Sequence, residues 1–350
     1  MGYEMVAVSS PGPELDRIKD EDGFRCVPVA MERHISLTKD LKSLWRMIRV
    51  FRKEHPYMVH SITPKAGLIC MLAAWITRVP RRVHTFTGLV WPTTKGVKRR
   101  ILMFTDWLTC VCATHIIPEG QGVMNDLRNG AITHKPMKVL GYGNVRGVDM
   151  ERFSPLRIVS HKDSTMFTFV FVGRIVRDKG INELVEAFMR ISCQYKTARL
   201  ILVGNYENEL DPVDEATHQM IESNCAINAC GTKHGDDLVQ VYADADCFVM
   251  PSYREGFPNT VLEAGAMGLP SIVTDINGSR EIITDGENGL VVPARNADAL
   301  YEAMLRMMTD DRTRTRMSQV ARPIIASRYE RSFVQKCQID FYKDIISKDR

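Results

Sequence analysis

Short apolar runs rich in β-branched residues alternate along the chain with longer segments whose apolar positions recur at helical spacing. In the carboxyl half the runs are FTFVFVG (167–173), ARLILVG (198–204), a short one near Ile227, CFVMPS (247–252) and PSIVTD (270–275). Helical patterns fill the intervals, from about Ile181 to Tyr195, before Cys225, from about Asp236 and from about Asn259. Runs that are apolar along their whole length mark strands covered on both faces, so the pattern predicts a parallel sheet in a doubly wound α/β domain. From Ala297 onward it predicts helices, broken at Pro323.

The amino half repeats the rhythm less cleanly. Its strand-like runs are EMVAVSS (4–10), CVPV (26–29), MVHSI (58–62), RVHTFTG (82–88), the stretch 109–117 and KVLGYG (138–143), with helices such as LKSLWRMIRVFRK (41–53) and the Ala-rich run after Lys65 between them. At 350 residues the chain is long enough for two domains. The expected boundary lies between Gly147 and Pro155, giving a domain over 1–150 and a second over 151–328, with a helix over 329–347 returning to pack on the first.

Composition narrows the class. Hydrophobic residues at 45% and charged residues at 25% exclude a disordered chain. The longest near-continuous apolar stretch, Leu68 to Ile76, is less than half of what a bilayer-spanning helix needs. The amino terminus lacks the basic and apolar regions of a secretory signal. Nine cysteines, an odd count without paired C-x-x-C spacings, read as reduced thiols of a cytoplasmic protein. Cys225, Cys230 and His234 have no fourth ligand nearby, so no metal site is expected.

Charge changes the picture more. Residues 1–150 hold 22 Lys and Arg against 13 Asp and Glu, a balance of +9, while the remainder holds 24 against 29, a balance of −5. Within the first half, residues 33–100 hold 15 basic and 2 acidic side chains. Such a concentration points to an anionic partner, for which nucleic acid and a membrane surface both qualify. The helix over 41–53 can set Leu41, Leu44, Trp45, Ile48 and Phe51 in one stripe beside Lys42, Arg46, Arg49, Arg52 and Lys53. That pattern fits a membrane-docking helix or a core-facing helix with a solvated basic face.

Parallel sheets gather ligands at the carboxyl ends of their strands. After the strand ending at Val172 comes GRIVRDKG, where Gly173 permits close backbone approach and Arg174 and Lys179 offer charge suited to a diphosphate, or else form an ordinary solvated loop. After the strand ending near Pro251 comes SYREGFPNTVLEAGAMG, with Glu255 before a helix and Glu263 two turns into it. Eight helical steps end about 80° past two turns, so the two carboxylates share a crevice only if Glu255 belongs to the entering loop. Pro258 suits a first helical turn, which leaves the amides of Asn259 and Thr260 as donors.

The E-x7-E spacing, the segments FVGRIVRDKG, EGFPNTVLE and GSREIITDGENGLVVP, and HSITPKAG, HTFTGL and GVDMERFSP in the amino half together resemble glycosyltransferase family 4, retaining enzymes of the GT-B fold with two Rossmann-like domains. TPKAG and GNYENELDP bring the likeness nearest to bacterial capsule and O-antigen transferases acting on undecaprenyl-diphosphate-linked sugars. The resemblance implies that Arg174 and Lys179 neutralise the departing nucleotide diphosphate in place of a metal, with no cofactor. It implies that Glu255 meets the transferred sugar and Glu263 the ribose hydroxyls. Gly173, Lys233, His234 and the amides of Asn259, Thr260 and Val261 would complete a donor site, UDP being the expected carrier. Acceptor contacts would fall to Thr63, Lys65, His84 and Thr87. The chain departs from the family pattern at Thr87 and Ile62, where relatives often carry His.

The implied partners are a nucleotide-sugar donor, a polyprenyl-diphosphate sugar acceptor and the inner membrane surface, without nucleic acid. A sugar-nucleotide epimerase of the same architecture and a non-catalytic homologue are the competing readings. GYGNVRG (141–147) fails the dinucleotide fingerprint in spacing and position. By the same resemblance the amino domain is expected to lack its first β-α unit, which would leave a central strand position vacant.

Overall fold

Apolar runs become strands and helical-period segments become the crossovers between them. The computed structural model describes residues 2–21, 23–31, 36–207, 209 and 211–347. Contacts divide the chain into two compact units, 1–118 with 124–138 and 119–123 with 139–350.

The first unit begins β1 (Val6–Ser9), α1 (Pro13–Glu21), β2 (Arg25–Pro28) and α2 (Leu37–Glu54). It continues β3 (Met58–Ser61), α3 (Pro64–Ile76), β4 (Arg81–Phe86), a 3₁₀ turn (Trp91–Thr93), α4 (Gly96–Cys112) and β5 (His115–Pro118), and α5 (Gln121–Asn129) follows. All pairings are parallel: β1 lies on β2 with Val6 opposite Arg25, and β3, β4 and β5 form a second sheet with Met58 opposite Arg81 and Val83 opposite His115. Among the described residues no ladder joins the two sheets. Val59, Val83, Ile116 and Ile117 of the second sheet and Ile69, Met71, Ala73 and Ala74 of α3 form its buried core.

One expected strand is shorter here and another is absent. Over 109–117 the helix α4 persists to Cys112, because Thr109, Cys110 and Cys112 turn inward and Ala113 still bonds back to the carbonyl of Thr109 at 2.9 Å, so the strand starts only at His115. Over 138–143 the backbone turns instead of extending. Gly141 and Gly143 have φ of +56° and +95°, and the amide of Gly143 closes on the carbonyl of Leu140 at 2.9 Å.

The stripe expected on the helix 41–53 is largely inward. Met47 and Phe51 are buried, Leu44 and Ile48 half-buried, and only Leu41 and Trp45 of the apolar set are exposed. The core-facing alternative therefore holds, with Lys42, Arg49, Arg52 and Lys53 on a solvated face. Arg33, which opens the basic stretch, lies outside the described residues.

The second unit is built on β6 (Phe167–Val172), α6 (Ile181–Gln194), β7 (Ala198–Val203), α7 (Glu215–Ser223), β8 (Ile227–Ala229), α8 (Gly235–Ala243) and β9 (Cys247–Met250). It goes on with α9 (Asn259–Ala266), β10 (Ser271–Thr274), α10 (Ser279–Ile282), β11 (Gly289–Val292), α11 (Ala297–Thr309), α12 (Asp311–Tyr329) and α13 (Arg331–Ser347). Strand order is β11-β10-β9-β6-β7-β8, parallel throughout. Side chains of β6 alternate between two cores: Phe167, Phe169 and Phe171 meet α6 and α11, while Val170 and Val172 meet α8, α9 and the end of α12. A strand buried on both faces is what its unbroken apolar run required.

The expected break at Pro323 does not occur, and α12 runs through it. Met317 and Ala321 before the proline and Ile325 and Tyr329 after it are all buried. The guanidinium of Arg322 donates to the carbonyls of Phe153 (2.6 Å), Met150 (2.9 Å) and Ala266. Burial and anchoring on both sides offset the one backbone bond that proline removes. Helix α13 packs on 141–148: Gly141 faces Phe333 and Cys337, and Gln338 donates to the carbonyl of Val145 at 2.5 Å. Among the described residues no helix is long and apolar enough to cross a membrane.

Candidate functional site

In the second unit β6 and β9 are neighbours whose crossovers leave toward opposite edges of the sheet. Strand order thus reverses between them, and their carboxyl ends open a crevice of the kind that holds ligands in doubly wound sheets. The loops after these strands carry the residues singled out by sequence.

The two loops are pinned together. Gly180, at φ +71°, starts α6 so close to the end of β9 that a Cβ there would lie 2.1 Å from the carbonyl oxygen of Pro251. The amide of Tyr253 donates to the carbonyl of Asp178 at 2.8 Å, and Arg254 pairs with the Asp178 carboxylate at 2.7 Å. Across this seam the ammonium of Lys179 meets the carboxylate of Glu255 in a largely buried ion pair. Arg174 is more exposed and holds Glu207 at 2.5 Å. Glu207 belongs to the GNYENELDP segment, of which Asn208 and Leu210 lie outside the described residues. Gly173 bonds to Val203 at 2.9 Å, and its carbonyl oxygen would stand 1.8 Å from a Cβ on Gly204, so the ends of β6 and β7 meet backbone to backbone.

Helix α9 opens behind Pro258. Asn259 and Thr260 are half-buried at its amino end, whereas the side chain of Val261 is fully buried and its amide bonds to the carbonyl of Pro258 at 3.2 Å. The Val261 side chain is therefore out of reach of a ligand, and its amide is already engaged in the first turn of α9. About one turn into α9, rather than the two expected, Glu263 accepts a hydrogen bond from the hydroxyl of buried Tyr242 at 3.2 Å. Burial raises the Glu263 carboxyl above its ordinary range, while the Tyr242 bond and the charges of Arg146 and Arg152 pull the other way. Lys233 and His234 follow β8, with Lys233 half-buried and His234 exposed as the residue preceding α8.

Sequence reasoning missed two residues of this unit. Asn144 is buried with φ +61°, and its Oδ1 accepts from the amides of Arg146 (2.8 Å) and Gly147 (2.6 Å) while its Nδ2 donates to Oδ1 of Asn259 at 3.0 Å. The signal was an Asn among glycines in GYGNVRG, since Asn tolerates the left-handed conformation. Glu119, at the end of the HIIPEG run, is buried and has its carboxyl pushed up to about 8 by desolvation, with the amide of Val145 donating to it and Glu281 and Glu255 adding like charge. Nothing local to Glu119 announces that burial.

The first unit holds the remaining expected residues at the carboxyl ends of β3 and β4. Thr63 is exposed at the start of α3, Lys65 pairs with Asp40 at 2.7 Å, and the Thr87 hydroxyl lies 3.4 Å from the carbonyl of Ile62. His84 is buried, with Nδ1 2.7 Å from the hydroxyl of Ser61 and a ring so close to Gly67 that a Cβ there would meet it at 2.3 Å. Burial lowers the His84 imidazole to about 3, so it is neutral in the folded chain.

Comparison with known proteins follows the same division. A family model described as glycosyl transferases group 1 matches residues 154–323, and a glycosyl transferase 4-like domain matches residues 1–143. The capsular polysaccharide biosynthesis glycosyltransferase CapM of Staphylococcus aureus is 34% identical over 93% of this chain and 86% of its own length. The UDP-Gal:alpha-D-GlcNAc-diphosphoundecaprenol alpha-1,3-galactosyltransferase of Escherichia coli is 29% identical over 89% of this chain and 81% of its own. Among solved structures, Anabaena HepE in complex with UDP-glucose superposes with a TM-score of 0.80 at 17% identity, covering 97% of this chain and 91% of that one. A glycosyltransferase from Rickettsia africae gives a TM-score of 0.78 at 18% identity, covering 99% of this chain and 91% of its own.

Proposed function

This chain belongs to the glycosyl transferases group 1 family and is a glycosyltransferase of the GT-B fold, and we propose that it is a retaining enzyme acting on a UDP-sugar. The transferred unit is a hexose or N-acetylhexosamine, and the acceptor is a sugar carried on a polyprenyl diphosphate during surface polysaccharide synthesis. CapM and the Escherichia coli transferase support that acceptor and pathway by their names and their extent of similarity.

The observation that carries the reading is the Lys179–Glu255 pair set across the β6–β9 crevice, with Arg174 in the same loop after β6. In the transfer the bond between the anomeric carbon and the diphosphate oxygen breaks, and a bond from the acceptor hydroxyl oxygen forms on the same face of the sugar. The hydroxyl proton passes to the departing phosphate. Positive charge grows on the ring and negative charge on the leaving group, so preorganised cations lower the barrier. Lys179 and Arg174 serve the diphosphate with the amides of Asn259 and Thr260, Glu255 and the backbone near Gly173 serve the sugar, and Lys233 and His234 stand at the nucleobase. Glu263 accepts from the ribose hydroxyls. Thr63, Lys65 and Thr87 line the acceptor side, where buried His84 acts through Ser61 as a positioning residue. No metal is required, because the two cations supply its charge.

The test incubates the protein with a panel of UDP-sugars and a short-chain N-acetylglucosaminyl-diphospho-lipid, with and without EDTA, and reads product configuration by NMR. An α-linked product from an α-linked donor, undiminished by EDTA, supports the reading; inversion, or a requirement for added metal, overturns it.

A further inference from the structure

Helix α4 carries a face of exposed apolar side chains. Val97 is 72% exposed and Phe104 58%, and Ile101, Trp107 and Val111 are exposed with them. At about 100° per residue these five positions fall within an arc of about 120°, one side of the helix. The opposite side, with Thr109 and Cys110, is buried. Phe104 and Trp107 stack on each other with ring centroids 5.5 Å apart, which presents two aromatic rings as one outward surface.

The amino end of the same helix collects Lys95, Lys98, Arg99 and Arg100, all exposed. Among the described residues none of the four has a carboxylate partner, and the first turn of α4 contains no acid. Cations at a helix amino terminus oppose the helix dipole, which favours anions there. Arg99 lies over the ring of Trp91, 5.7 Å from its centroid, but no acid offsets the cluster, and an external layer of negative charge would satisfy the cations and the dipole together.

An outward apolar stripe with stacked aromatics beside a cation cluster is the pattern of a helix lying in a lipid headgroup layer. We propose that α4 docks this protein on an anionic bilayer, with Val97, Ile101, Phe104, Trp107 and Val111 entering the acyl boundary and Lys95, Lys98, Arg99 and Arg100 meeting phosphate headgroups. A second copy of the chain fits less well, because it would bring four more positive charges to the same interface. The inference deepens the proposed lipid-linked acceptor and rests on that reading for its purpose. It relocates membrane contact from α2, whose stripe is mostly inward, to α4.

The experiment is sedimentation of the full chain with vesicles of phosphatidylcholine alone or with one third phosphatidylglycerol, free of polyprenyl lipid. Binding is expected only to the anionic vesicles. The Phe104→Ser, Trp107→Ser pair should weaken it about tenfold or more, from the apolar area lost. Each of Lys98→Gln, Arg99→Gln and Arg100→Gln should weaken it about fivefold. Leu41→Ser with Trp45→Ser on α2 should leave it unchanged, and unaltered transfer to a water-soluble acceptor shows that the variants are folded. Binding that ignores anionic lipid, that follows the α2 pair, or that is replaced by an α4-dependent dimer in solution overturns the proposal. If vesicles bind as expected but no polyprenyl-diphosphate sugar is glycosylated, the acceptor reading fails and the docking surface stands.

Discussion

Asn144 donates through Nδ2 to Oδ1 of Asn259 at 3.0 Å, tying a left-handed turn to the first residue of α9 across 115 positions of chain. Its own Oδ1 caps the amides of Arg146 and Gly147, so one carboxamide fixes both the turn and the helix end that carries the candidate donor amides. Asn144→Ala removes all three bonds and keeps the strained φ, and should lower unfolding free energy by about 2–3 kcal/mol. Asn144→Gly relieves the φ and should recover part of that loss. In both variants the donor KM should rise; urea denaturation and initial-rate kinetics measure the two effects. Unchanged stability in the alanine variant would remove Asn144 from this role.

Lys179 and Glu255 form one largely buried ion pair, which ties their effects together. Lys179→Ala should lower kcat by about 10²-fold, the usual loss for one transition-state donor. The double variant with Glu255→Gln should fall short of the product of the two single losses, because each single change also leaves its partner uncompensated, by a coupling of about 0.5–3 kcal/mol. Single-turnover rates in EDTA give all four corners of the cycle. Strict multiplicativity would mean the two side chains act at separate places.

Glu263 receives the Tyr242 hydroxyl at 3.2 Å while burial raises its carboxyl above the ordinary 4.5. A carboxylate that accepts from donor hydroxyls loses that capacity on protonation, so donor affinity should weaken on acidification from a pH above the ordinary carboxyl range. Tyr242→Phe removes the bond that favours the charged form, and the onset should move to still higher pH. The pH dependence of donor KM in the two proteins checks this, and coincident profiles would count against a ribose contact at Glu263.

What the sequence made legible follows the range of the interactions. The loop after β6 and the strand-loop-helix of β9 and α9 carry Arg174, Lys179, Glu255 and Glu263 in short segments, where local pattern fixes which end of the sheet they occupy. Asn144 and Glu119 escaped because their burial depends on partners more than a hundred positions away, Asn259 for the first and Glu281 and Glu255 for the second. Pro323 misled for the same reason, since the carbonyls that anchor Arg322 come from Met150, Phe153 and Ala266. For α2 the stripe was legible, but the pattern left its direction open. Periodicity shows that a helix has an apolar face, and only the neighbouring α3 decides that Met47 and Phe51 are inside while the stripe of α4 is outside.

Glu119 supplies a stability signature with a definite sign. Its carboxyl titrates near 8 in the folded chain against an ordinary 4.5, so at neutral pH folding takes up a proton. The contribution is fully present below about pH 4.5 and is lost as pH rises through 8, at about 1.4 kcal/mol per pH unit inside that window. Glu119→Gln is neutral at every pH and can still accept from the amide of Val145. It should match the wild type near pH 4 and exceed it in stability at pH 8–9. His60 and His84 act in the other direction, because burial lowers them to about 4 and about 3 and their contribution is lost as pH falls below the ordinary 6.5. Subtracting the Glu119→Gln curve from that of the wild type cancels both histidines and leaves Glu119 alone. Urea denaturation at several values between pH 4 and 9 should give a difference that grows steadily with pH, and a flat difference would place this carboxyl in water as an ordinary anion.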